Sequence, residues 1–102
     1  MNKIPDSFKI AGITFKVDKI DNIKNGSRYG EFNDCNNTIK IANRVLIDDV
    51  WTEVPELNKL NTFYHELMHA FNYYYNNECS ESLAQVFANF MIEFEQTKNE
   101  NL

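Results

Sequence analysis

The chain has 102 residues, a formal net charge of −5 from 15 Asp+Glu against 10 Lys+Arg, and 43% hydrophobic residues. That length predicts one domain over residues 1–102, and the composition is that of a packed globule rather than a disordered tail. The acidic balance argues against nucleic acid as a partner, since neutralising phosphates needs a basic surface and Arg28 and Arg44 are too few to form one. The same sign disfavours docking on anionic membrane lipid. No stretch approaches a membrane span, and the N-terminus lacks the apolar run of a secretory signal. Cys35 and Cys79 do not make a disulfide framework. They read as two reduced thiols, and the expectation is a cytoplasmic protein.

Residues 1–45 read as mainly β. Phe8 and Ile10, then Ile13, Phe15 and Val17, alternate with polar residues around an Ala11-Gly12 turn. Residues 21–26 read as a polar loop. Tyr29 to Phe32 and Thr38 to Ala42 form a second predicted hairpin, with Ile39 and Ile41 sharing one face. The segment carrying Asp48-Asp49 and Trp51 is a link, with Trp51 expected to pack across the start of the following helix.

From Pro55 the period becomes helical, so residues 55–97 read as mainly α. Leu57, Leu60, Tyr64, Leu67, Met68, Phe71 and Tyr74 form the predicted core stripe of a first helix, ended by Asn76-Asn77. A second helix starts around Ser80, with Leu83, Val86, Phe87, Phe90, Met91 and Phe94 as its apolar side. Strands followed by helices predict an α+β domain, a small antiparallel sheet packed on two helices.

The first helix carries His65-Glu66-Leu67-Met68-His69, and these are the only two histidines in the chain. Four residues apart, the imidazoles stand about 40° apart on the helix and can reach one ion. Glu66 lies about 60° further round, placed to meet a water on that ion. The pair points away from the predicted core stripe. This is the H-E-x-x-H arrangement of zinc peptidases. Two histidines hold zinc weakly, and a catalytic zinc takes three protein ligands plus an open position. Glu81 is the leading third ligand, in the first turn of the second helix, where the small Ala84 and Ala88 let the helices approach closely. Glu78 and Cys79 are its rivals, both in the connecting turn.

With Glu81-Ser82-Leu83-Ala84-Gln85-Val86-Phe87-Ala88 after it, the HELMH segment resembles the small phage and prophage zinc metallopeptidases, related to the gluzincin-type ImmA/IrrE group. Ile4-Pro5, Phe8-Lys9-Ile10, Gly12-Ile13 and the Tyr29 to Ile41 hairpin extend the resemblance over most of the chain. It implies a minimal zincin fold, Zn2+ held by His65, His69 and Glu81, and Glu66 as general base. The sequence departs from the pattern at Gln85, where larger members carry Asn, and the DNA-binding or sensor segments of such relatives have no room here.

The expected function is therefore zinc-dependent hydrolysis of peptide bonds in a peptide or protein substrate, by metal-activated water and Glu66. The strand Thr38 to Ala42 is expected to be a sheet edge that receives the extended substrate, with Gly30 beside it marking a bend or a close approach of backbone. Tyr29, Asn72, Tyr73, Tyr74 and Tyr75 are the candidate oxyanion donors, with no choice among them. The alternative is a catalytically silent zincin-like protein that binds a protein partner. A third reading is a structural metal site holding two helices together. Oligomeric state stays open.

Overall fold

Alternating apolar residues draw the first part of the chain into strands. The computed structural model describes residues 4–75 and 80–98. β1 (Ser7–Ile10) and β2 (Ile13–Ile20) form an antiparallel hairpin. Its two-residue turn puts Ala11 and Gly12 at φ of 49° and 86°, the left-handed pair that matches strand twist. β3 (Gly30–Asn33) and β4 (Thr38–Ala42) form a second hairpin, and β4 lies parallel to β2. The sheet order is therefore β1-β2-β4-β3.

This order corrects two expectations. The sheet is mixed rather than antiparallel, because its two hairpins join through the parallel pairing of β2 and β4. Thr38 to Ala42 is not an edge: β4 sits between β2 and β3, so both its rows of backbone groups are paired. Its burial follows, with Ile39, Ile41 and Ala42 fully enclosed and Thr38 buried on the opposite face from the isoleucines. Among the described residues, the free edge beside the helices belongs to β3.

The segment after β4 is also more regular than a link. β5 (Arg44–Ile47) and β6 (Val50–Glu53) pair as a hairpin, turned by Asp48 and Asp49 at φ of 49° and 64°. Strand therefore extends to residue 53 rather than 45. Under this ribbon lies a second small core of Ile23, Ala42, Val45 and Val54. Trp51 does not pack across the helix start. It lies against Gly26 and stacks 5.0 Å from the Arg44 guanidinium, since the hairpin folds it back over the 21–28 loop.

α1 (Glu56–Tyr74) begins after Pro55, whose extended backbone precedes the first turn and whose carbonyl accepts from the Lys59 N–H. α2 (Glu81–Thr97) is capped by Ser80, whose hydroxyl accepts from the Leu83 N–H at 3.0 Å. The break expected at Asn76-Asn77 lies outside the described residues.

The main core joins Phe15, Val17, Ile39 and Ile41 of the sheet to Leu60, Phe63 and Tyr64 of α1. α1 thus has the sheet on one side, and α2 packs chiefly on α1. Two partners explain why the predicted stripes are only partly buried. Phe71 and Tyr74 are exposed and pack on Tyr75, while Ala70 and Asn72 are buried. In α2 the fully buried residues are Ala84 and Ala88; Leu83, Val86, Phe90 and Phe94 face outward. Small side chains bring two helix backbones close, and that approach selects the alanine face over the larger apolar one. Among the described residues, no helix is long and apolar enough to cross a membrane.

Candidate metal centre

Close packing of α1 on α2 places the first turn of α2 over the HExxH face. Glu81 then reaches both histidines: Oε1 stands 2.8 Å from His65 Nε2 and Oε2 stands 3.0 Å from His69 Nε2. The imidazole centroids are 5.0 Å apart, and one donor atom from each of the three residues lies within 4.8 Å of the others. Spacing on the helix predicts this convergence of His65 and His69; the capped start of α2 supplies Glu81. The histidines are largely shielded from solvent. Their side chains are 16% and 19% exposed, enclosed between the two helices.

Hydrogen bonding fixes the tautomer of one ligand. His65 Nδ1 lies 3.1 Å from Gln85 Oε1, while Gln85 Nε2 donates to Asn61 Oδ1 at 3.0 Å and Asn89 Oδ1 at 2.9 Å. An amide oxygen only accepts, so Nδ1 carries the proton. On a neutral ring, Nε2 then turns a lone pair toward Glu81 Oε1, 2.8 Å away. Two lone pairs at that distance repel unless a positive charge, a proton or a cation, lies between them. His69 Nε2 is buried, and its approach to Glu81 lacks hydrogen-bond alignment. An orphaned ring nitrogen, a second nitrogen held in the ligating tautomer and a carboxylate facing both form a donor set that suits zinc. The residues present fit the ion.

Electrostatics agrees with this polarity. Facing His65 first and His69 second, the Glu81 carboxyl is held below the ordinary range, so it stays ionised. Glu66 goes the other way: burial pushes its carboxyl up, against the pull of His65 and His69. It stands outside the donor group, as its place on the helix predicts. A Cβ at Gly30 of β3 would collide with the Thr62 methyl and sit 3.3 Å from Glu66 Cγ. The strand edge therefore passes directly over Glu66, which is what the expected close approach at Gly30 amounts to.

Two cavities flank that crossing. The first, about 550 Å³, lies on the His65 side and includes Tyr29, Thr62, Gln85 and Asn89 in its lining. The second, about 680 Å³, lies on the His69 side with Glu31, Phe32, Asp34 and Tyr73. Arg28, Gly30 and Glu66 line both.

Of the candidate oxyanion donors, Tyr29 lines the first cavity, and Tyr73 and Asn72 line the second. Asn72 already donates to the Met68 carbonyl at 2.8 Å, and Tyr73 packs edge-on against Phe32. Tyr74 and Tyr75 meet edge-on and line neither cavity. Glu78 and Cys79 lie outside the described residues.

The sequence reading missed Arg28 and the amide set of Asn61, Gln85 and Asn89. Gln85 and Asn89 stand four and eight residues after Glu81, on the same face of α2, and that spacing is the signal that points to them. No protein-family model matches the chain, and neither a curated protein nor a solved structure matches it.

Proposed function

We propose that this chain is a zinc-dependent peptidase with a minimal zincin-like site. The reading rests on one observation above the others. His65, His69 and Glu81 converge beside Glu66, directly under the free strand edge of β3 and between two cavities.

In this reading His65 and His69 hold zinc through Nε2, and Glu81 through its carboxylate. Bound zinc supplies Lewis acidity, which acidifies water and polarises a carbonyl. Glu66 takes the proton from the attacking water and delivers it to the leaving amine. Burial suits it to both tasks, because a carboxyl with a raised pKa holds a proton longer than an exposed one. The edge of β3 holds the substrate extended by backbone hydrogen bonds, as an added strand. Gly30 keeps that edge close to Glu66 by having no side chain. Gln85 holds His65 in the ligating tautomer.

The same reading makes the substrate a peptide or protein and leaves nucleic acid and membrane out. It places the protein in the cytoplasm, which the exposed free thiol of Cys35 supports.

The test is metal content by mass spectrometry on untagged protein, followed by cleavage of a peptide library, with Glu66→Gln and Glu81→Ala alongside. The expected result is about one zinc per chain, cleavage by wild type, zinc without cleavage for Glu66→Gln, and weakened zinc for Glu81→Ala. Zinc-loaded wild type that cleaves nothing would remove the enzyme and favour the silent binding protein.

A further inference from the structure

We infer that the cavity on the His65 side is a carboxylate-binding subsite, so that the substrate carries an acidic group just after the bond to be cut. The inference rests on the peptidase reading for the path of the peptide. The chemistry of the cavity itself rests on a count of donors and acceptors.

The count starts at the ligating histidine. With Nε2 turned to the donor group, Nδ1–H donates to Gln85 Oε1. That leaves the Gln85 amide nitrogen to donate twice, to the oxygens of Asn61 and Asn89. Asn61 Nδ2 donates to the same Asn89 oxygen at 3.2 Å. Asn89 Oδ1 thus accepts two hydrogen bonds, which fills both its lone pairs, and Asn61 Oδ1 already accepts one. These bonds commit neither hydrogen of Asn89 Nδ2 and only one of Asn61 Nδ2. The network turns its oxygens inward and offers N–H groups to the cavity that Asn61 and Asn89 line.

Arg28 completes the polarity. It lines the cavity with a half-exposed guanidinium, and its contact with Glu31 is a loose 3.6 Å, which leaves several of its five donors available. Glu66 is the one acidic side chain in this lining. The cavity on the His69 side shares Arg28 and Glu66 but adds Glu31, Asp34 and Glu81, so acidic side chains outnumber its one arginine. An acidic side chain is therefore favoured in the first cavity over the second.

The strand edge gives the direction. The first cavity lies by Tyr29 and Gly30, at the start of β3, and the second extends along Phe32 to Asp34, at its end. Antiparallel pairing is the more stable ladder, and a peptide added to β3 in that sense enters at the second cavity and leaves through the first. The residue in the donor-rich cavity is then on the carboxyl side of the scissile bond. Two sources supply a carboxylate there: an Asp or Glu side chain, or the free C-terminus of a short peptide.

The experiment is a titration of zinc-supplied wild type and Asn89→Asp with alanine-based hexapeptides, followed by side-chain amide NMR signals and by product mass. One peptide carries a central Glu, with Gln and Leu counterparts; each is made with a free and with an amidated C-terminus. Asn89→Asp keeps the oxygen that accepts from Gln85 and Asn61 but replaces the outward NH2 with a second oxygen. The expected result is that the Glu peptide binds wild type about tenfold tighter than its Gln and Leu counterparts. It shifts the Asn61 and Asn89 amide signals, is cut on the amino side of Glu, and loses its advantage on Asn89→Asp. Preference for the free C-terminus whatever the side chain assigns the carboxylate to that source. Equal binding of Glu, Gln and Leu peptides with free and amidated C-termini alike, with cleavage still seen, overturns the subsite and leaves the peptidase standing. Glu-selective binding that moves Asn89 without any cleavage retains the subsite and overturns the peptidase.

Discussion

Gln85 holds the imidazole of His65 from the side opposite Glu81: Oε1 lies 3.1 Å from Nδ1, and Glu81 Oε1 lies 2.8 Å from Nε2. Both partners come from one face of α2, four residues apart, so a single helix supplies the carboxylate and the group that aims its neighbour. Partners of this kind fix ring orientation and tautomer, and their loss typically weakens metal binding by about 10- to 100-fold. Gln85→Ala is therefore expected to weaken zinc binding at the low end of that range, since His69 and Glu81 remain. Gln85→Glu keeps the acceptor and is expected to restore affinity. Competition with a chromophoric chelator measures both, and equal affinity in all three proteins would remove Gln85 from the site.

How far the sequence discloses this fold depends on the range of the interaction. Alternation placed the strands of both early hairpins, because each side chain answers to the face beneath it. The position of β4 in the middle of the sheet was hidden, since strand order is set by pairing between distant segments. The β5–β6 hairpin escaped because Val45, Leu46 and Ile47 form a continuous apolar run, and Asp48-Asp49 is a less familiar left-handed turn than Asn-Gly. In the site, His65, Glu66 and His69 were legible from helical spacing alone. The approach of Glu81 was legible through Ala84 and Ala88, but the amide network needs the second helix in place before its partners meet.

Ala88 shows how packing decides what a helix face does. It is fully buried against α1, while Val86, two residues away, is 63% exposed. Ala88→Leu adds volume where the helices touch and is expected to destabilise the fold by about 1–3 kcal/mol. By forcing α2 outward it also carries Glu81 from the histidines, so zinc affinity falls with it. Val86→Ala, which trims a side chain that is mostly in water, is expected to change stability by less than about 0.5 kcal/mol. Urea denaturation, with and without a chelator, separates the two effects.

Gly26 lets the β5–β6 hairpin lie against the preceding loop in the same sense. Its φ is +85°, and a Cβ there would stand 2.8 Å from Leu46 Cβ and from Trp51 Cζ3. Gly26→Ala meets both a left-handed backbone and a crowded site, and is expected to cost about 2 kcal/mol. Gly12, also left-handed but with open space around it, is the control. Gly12→Ala bears the backbone strain alone, so the excess loss of Gly26→Ala over it in thermal unfolding measures the steric part.

Beside that glycine, Arg44 grips Asp21 with two hydrogen bonds of 2.8 Å and stacks on Trp51. Those bonds hold the Asp21 carboxyl down at about 2, from an ordinary 3.8. A depressed carboxyl pKa means that the folded protein binds the proton less readily than the unfolded chain. The pair's contribution is therefore complete above the unfolded value and is lost as pH falls through the folded one. Comparing wild type with Asp21→Asn, the stability difference is expected to be constant above about pH 5 and to shrink between about pH 4 and pH 2. Because the pair is exposed, added salt narrows the difference as well. Trp51 is the only tryptophan, so its fluorescence reports the contact directly. A difference that grew on acidification would mean that Arg44 is held by some other group than Asp21.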